Sequence, residues 1–253
     1  MRTTIQNVWN KDKEYGKYFY KMSTGQLPNM FCAEAAAYII KKIYKSGSTI
    51  LDVGCGAGHY LRSLRERVDK EINYTGVDFS PGYIKLAQKA FGSSAKFAVG
   101  SIQEIPFESK RFDIVMANNI ILHVPPTPEK AFKELLRVSK KYVIIRTLFG
   151  QRNYITQEVL TNSDFKINKP DTALFKPDGT PMSFNYFNLY TEEYFRGLIK
   201  KLAPKAKLTI IKDLSYKKFD NTKATRSTGT KVVNRLQISG NLLLDWRFIL
   251  VEK

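Results

Sequence analysis

The stretch Ile50-Leu51-Asp52-Val53-Gly54-Cys55-Gly56-Ala57-Gly58-His59-Tyr60 constrains the fold more than any other part of the chain. An apolar run with strand character ends in three glycines at alternate positions, and a helical pattern begins at once. Glycine lets the backbone turn tightly and lets a ligand approach main-chain N–H groups with no Cβ in the way. The following helix presents the positive end of its dipole at the same place. The spacing is G-x-G-x-G, not the G-x-G-x-x-G of a dinucleotide fold. Asp52 also stands two residues before the first glycine. Pyrophosphate favours a neutral loop, so a carboxylate here suits a ligand with ammonium or sulfonium charge.

The same alternation continues beyond the loop. Strand-like runs fall at Thr49–Val53, Ile72–Asp78, Lys96–Val99, Phe112–Ala117 and Tyr142–Thr147, with helical patterns at Gly58–Asp69, Ser80–Phe91 and Thr127–Lys140. Ser80-Pro81 and Thr127-Pro128 read as helix starts, since Ser or Thr can cap and Pro suits the first helical position. Strand, helix, strand at this pitch means an α/β fold, a parallel sheet wound with helices on both faces. Asp78 ends the second strand, and its carboxylate can accept from both hydroxyls of a ribose. Phe79 beside it suits packing against a purine.

Around this core at 48–148 we expect one domain with three additions: an arm over 1–47, a lid insertion over 149–190, and a helix with two strands over 191–253. The arm is aromatic (Trp9, Tyr15, Tyr18, Phe19, Tyr20) and leads to a helix around Asn29–Tyr44. The insertion is rich in Asn, Pro and aromatics, among them Tyr154, Phe165, Phe175, Phe184, Tyr186, Phe187 and Tyr190. A long stretch with little regular pattern inside a domain signals a lid or binding loop. A helix starting at Thr191 and runs at Lys207–Ser215 and Leu242–Glu252 close the chain.

With these residues in view, the chain resembles a class I S-adenosylmethionine-dependent methyltransferase of the small-molecule type, strongly over about 48–148. LDVGCGAG is similar to the family's first motif and VDFSPGYIKLAQ to its second; Gly100–Phe107 looks like the third, and FDIVMANNIILHVPP like the fourth. The resemblance implies a Rossmann-like, doubly wound, seven-stranded sheet in the order 3-2-1-4-5-7-6, with strand 7 antiparallel. It implies S-adenosyl-L-methionine as cofactor. Asp52 and the Gly54, Cys55, Gly56 and Gly58 backbone would then surround the methionyl part, and Asp78 would hold the ribose. Phe79 and Ile102 would flank adenine, with the main chain of Ala117 and Asn118 at the methionyl ammonium. One departure stands out: the family usually has Asp where this chain has Ser101, leaving Ser101 or Gln103 to meet the adenine amine.

Methyl transfer from a sulfonium is an in-line displacement, so the protein must align a nucleophile and exclude water. His123, just after the fourth strand, is the candidate base, since a neutral imidazole takes a proton near pH 7. His59 reads as packing or cofactor contact. Arg146 ends the fifth strand and is the candidate clamp for a substrate carboxylate or phosphate. Tyr15, Tyr20, Tyr186, Phe187 and Tyr190 are the candidate lid over substrate and sulfonium. Ala117-Asn118-Asn119-Ile120 lacks the Pro-Pro-aromatic signature of base-amine and glutamine-amide methylation, and neither Cys32 nor Cys55 follows a proline as carbon-5 cytosine chemistry needs.

The remaining feature is charge: 41 Lys and Arg against 23 Asp and Glu, a formal +18. Residues 200–235 hold eleven of these cations against Asp213 and Asp220. Three readings remain: an enzyme methylating oxygen or nitrogen of a small metabolite or sugar, with an anionic acceptor suiting the charge; an RNA methyltransferase using 200–235 as its electrostatic footprint; and a non-catalytic cofactor-binding regulator. No secretory leader, no membrane-spanning run and no metal-ligand cluster is expected. Two cysteines and no leader point to a cytoplasmic protein.

Overall fold

A computed structural model describes residues 13–160, 174–215, 230–233, 236–239 and 242–253. Seven strands form the main sheet: β1 (Thr49–Val53), β2 (Asn73–Asp78), β3 (Lys96–Val99), β4 (Phe112–Asn118), β5 (Ser139–Phe149), β8 (Lys207–Lys212) and β12 (Asp245–Glu252). Their order is β3-β2-β1-β4-β5-β12-β8. The first five run parallel, and β12 lies antiparallel between β5 and β8. This is the expected 3-2-1-4-5-7-6 order, with β8 and β12 as its sixth and seventh strands.

Alternation along each strand explains the winding. Leu51 and Val53 of β1, with Val115 and Ala117 of β4, pack on one face under α5 (Glu129–Val138) and α6 (Glu192–Leu202). Ile50, Ile114, Met116 and Ile144 face the other way, onto α2 (Phe31–Ile43) and α3 (His59–Arg67). Both layers are apolar because every core strand is covered twice. The carboxyl ends of β1, β2, β4 and β5 share one edge, where ligands bind in open α/β sheets.

Local signals act largely as read. Ser80 caps α4 (Pro81–Phe91), its hydroxyl accepting from the Tyr83 N–H, and Thr191 caps α6 in the same way. Thr127 does not cap: the residue at that position of α5 is Pro128, with no side-chain bond. The run Leu242–Glu252 is broken at Leu244, whose N–H donates to the Gln237 carbonyl and whose side chain is buried with Leu122, Leu148 and Leu189. Its first part, β11 (Leu242–Leu243), joins β9 (Thr230–Val233) and β10 (Leu236–Ser239) in a side sheet. The insertion holds a ladder where little pattern was expected, β6 (Gln157–Val159) against β7 (Phe184–Tyr186). Residues 161–173 of the insertion, the arm before 13, and residues 216–229 and 234–235 of the basic segment lie outside the described residues.

Candidate active site

The glycine loop is held in a shape only glycine adopts without strain. Gly54, Gly56 and Gly58 have φ of +78°, +55° and +83°. Space excludes side chains as firmly: a Cβ on Gly54 would lie 2.7 Å from Ile120 Cδ1, and one on Gly58 2.8 Å from Phe91 Cε2. The N–H groups of Gly54 and Cys55 donate to the Val77 carbonyl at 2.7 and 3.0 Å, tying the loop to the end of β2.

Two buried carboxylates flank this loop. Asp78, 6% exposed, accepts from the Gly56 N–H through Oδ2 and from the Ser80 N–H through Oδ1, both at 2.9 Å. Burial pushes it up to about 6. Asp52, 1% exposed, accepts from the Tyr74 hydroxyl at 2.6 Å, and burial pushes it up to about 7. Both groups lack a cation among the bonds they make, so a positive ligand would relieve the cost of ionising them. Phe79 is half-buried beside Asp78. Ser101 accepts from the Gln103 N–H at 3.2 Å and lines an open depression with Val99, Pro106 and Phe107, while Ile102 is buried. At the end of β4, Ala117 is fully buried, and Asn118 is 7% exposed. Neither amide atom of Asn118 has a partner among the described residues.

The arm covers the loop, but mainly through residues other than the expected Tyr15 and Tyr20. Helix α1 (Lys13–Ser23) lies over it: Phe19 stacks on His59 with ring centres 4.6 Å apart, and the Ser23 hydroxyl bonds the Ala57 carbonyl at 2.8 Å. The Arg62 guanidinium holds the end of this arm through the Met22 and Leu27 carbonyls. Tyr15 is part of the arm, its ring 6.1 Å from that of Phe19. Tyr20 instead faces α4, with Lys89 Nζ 5.4 Å from its ring centre. Burial drives His59 down to about 4, so it stays neutral, and its Nδ1 has no partner among the described residues.

On the other side of the edge, His123 follows β4 in a short 3-10 turn, Ile121–His123. Its Nδ1 lies 2.8 Å from the Tyr186 carbonyl and 3.1 Å from the Asn185 amide, so β7 holds the ring. Phe187 meets the imidazole edge-on at 6.1 Å. Burial pulls His123 down to about 4. Tyr190 is set apart from this group: it is 3% exposed in the core, stacked on Tyr194. Arg146 is also buried, its Nε donating to Asp213 at 2.6 Å. No cluster of metal-ligating side chains occurs among the described residues.

The arrangement is a left-handed backbone cradle, two costly carboxylates and an orphaned amide on one sheet edge. It fits a cationic amino acid attached to a nucleoside. Residues 50–142 match the family described as a methyltransferase domain. Over those residues the chain is similar to S-adenosylmethionine-dependent methyltransferases, and its sheet has their class I, Rossmann-like order. A Synechocystis 2-methyl-6-phytyl-1,4-hydroquinone methyltransferase is 40% identical over 96 residues, 37% of this chain and 29% of that protein. The chain thus matches less than a third of that relative's length. Among solved structures, a Methanosarcina mazei S-adenosylmethionine-dependent methyltransferase aligns at 17% identity and TM-score 0.54, over 85% of this chain and 96% of that one. A Burkholderia thailandensis 1,6-didemethyltoxoflavin N1-methyltransferase aligns at 13% identity and TM-score 0.57, over 100% and 91%. At such identities the structures establish the fold alone, and the site rests on the geometry above. No helix among the described residues is long and apolar enough to cross a membrane.

Proposed function

We propose that the methyltransferase domain methylates an oxygen or nitrogen of a small metabolite or sugar, with an anionic group on the acceptor suiting the chain's charge. Bound S-adenosylmethionine would supply an activated methyl on sulfur. Gly54–Gly58, Asp52, Asp78 and Asn118 would hold it, and the arm helix would shut out water. The observation that carries the reading is His123 on the same edge. With Nδ1–H donating to Tyr186 O, the basic lone pair belongs to Nε2, and Asn185 serves the same N–H when its amide oxygen faces the ring. The imidazole is neutral and free to accept, but at about 4 it is a weaker base than the ordinary imidazole expected from the sequence. It therefore suits orienting the nucleophile and taking its proton late, as the methyl transfers. Phe187 and Trp246, packed on the Leu122 cluster, offer apolar walls for a ring compound such as the acceptor named for the Synechocystis relative.

Incubation with methyl-labelled cofactor and a panel of hydroxyl, amine and phosphorylated acceptors tests this, with label expected in one acceptor class. Firm cofactor binding without transfer to any of them would favour the non-catalytic reading. His123→Ala slows turnover at least tenfold if His123 is the base, and a rate within twofold of the parent removes that role. Because His123 titrates near 4, its contribution is intact at neutral pH and falls away only as pH drops toward 4. The formal +18 charge keeps one second reading in play, RNA as acceptor. RNA binding that weakens steeply with salt supports it, and salt-insensitive or absent binding removes it.

A further inference from the structure

The guanidinium of Arg146 is locked on three sides. Its Nε donates to Asp213 at 2.6 Å, its Nη1 donates to Asn119 Oδ1, and its Cζ lies 4.0 Å from the centre of the Trp246 ring. The main chain repeats the link, the Asn119 N–H donating to the Arg146 carbonyl at 2.9 Å. Asp213 is fixed in turn, its N–H donating to the Trp246 carbonyl. Strands β4, β5 and β12 thus meet, with the residue that follows β8, in one buried polar knot at the carboxyl edge.

Asn119 is the residue this knot controls. Its φ is +60°, a left-handed conformation that Asn tolerates but does not favour. On either side of it lie Asn118, with its orphaned buried amide, and Ile120, whose Cδ1 would touch a Cβ on Gly54. The Ile120 carbonyl accepts from the His123 N–H at 2.9 Å. The turn therefore reaches the cofactor loop at one end and His123 at the other.

We infer that Arg146 is a positioning residue: by holding Asn119 left-handed, it aims Asn118 into the cofactor site and sets Ile120 against the glycine loop. This rests on the cofactor site described above and replaces a substrate-clamp role for Arg146. Planarity is essential to it, because a fork of N–H donors serves Asp213 and Asn119 together, whereas an ammonium keeps the charge but not both directions.

Arg146→Lys therefore retains the ion pair and the fold, and is expected to weaken S-adenosylhomocysteine binding about tenfold by calorimetry. Glycine takes φ near +60° freely, so adding Asn119→Gly to Arg146→Lys should restore affinity to within about threefold of the parent. Asn118→Ala should be as weak as Arg146→Lys and gain nothing from Asn119→Gly. A merely structural arginine would show no such rescue. Parent-like affinity in Arg146→Lys, with thermal melting confirming the fold, overturns the inference, as does failure of Asn119→Gly to recover it. A parent chain that does not bind S-adenosylhomocysteine at all removes the cofactor site and this role with it.

Discussion

Asp78→Ala is expected to weaken cofactor binding at least 100-fold, measured by calorimetry with S-adenosylmethionine at pH 8. The carboxylate joins the Gly56 N–H to the Ser80 N–H, so it fixes the cradle before any ligand arrives. The two bonds that a ribose's hydroxyls would donate to this carboxylate are lost together, and hydrogen bonds to a charged group contribute about 1.5–3 kcal/mol each. At about 1.4 kcal/mol per tenfold, those two alone span the expected effect. Loosening of the cradle would add to it. Removing the charge also removes the cost of burying it, since Asp78 titrates near 6 rather than its ordinary 3.8. The two effects on folding oppose each other, so melting should move far less than affinity does. Near-normal affinity in a folded Asp78→Ala protein would mean that the cradle is not the cofactor's seat.

The core was legible in the sequence because local and tertiary signals agree there. Lys96–Val99 has the bounds read from its pattern, and β1 likewise, since each short apolar run is flanked by turn residues. The glycine loop was legible for a stronger reason: three positive φ values in five residues favour glycine at each, and Gly54 and Gly58 have no room for a Cβ. What escaped was contact between distant segments. Phe19 read as one more aromatic of the arm, Ser23 carried no signal, and nothing local says that they land on His59 and Ala57. Arg146 read as a substrate clamp at the sheet edge because its partner, Asp213, is 67 residues away. Leu242–Glu252 read as a single strand because its pattern continues through Leu244, and only pairing with Gln237 shows the break. Tyr190, counted with the lid aromatics, packs in the core because Phe195 and Tyr194 of α6 fold back over it.

Asp52→Asn separates the cost of the site from its use, and both effects should be large. Asp52 is buried with a Tyr74 hydroxyl as its bonded partner, and its ionisation moves from an ordinary 3.8 up to about 7. A folded state that binds its proton more tightly than the unfolded chain loses stability as pH rises through that interval. The loss starts near 4, grows to about 7 and is complete at pH 8. At about 1.4 kcal/mol per pH unit it reaches roughly 4–5 kcal/mol. Asparagine keeps an oxygen for Tyr74 and carries no charge, so the unliganded variant should melt about 9–18 °C higher at pH 8, and near the parent at pH 4. His59 and His123, both lowered to about 4, make any fold containing them less stable as pH falls below 6.5. They act equally in parent and variant, so the difference between the two reports Asp52 alone. Cofactor binding should respond in the opposite sense. A cation held near Asp52 favours its ionised form, so parent affinity rises with pH up to about 7, whereas the variant lacks that rise and binds about 10- to 100-fold more weakly at pH 8. Melting curves with and without S-adenosylmethionine at pH 5 and pH 8 read both effects at once. A variant that melts below the parent at pH 8, or that gains as much from cofactor as the parent does, would show that Asp52 is a structural acid and not the counter-charge of the ligand.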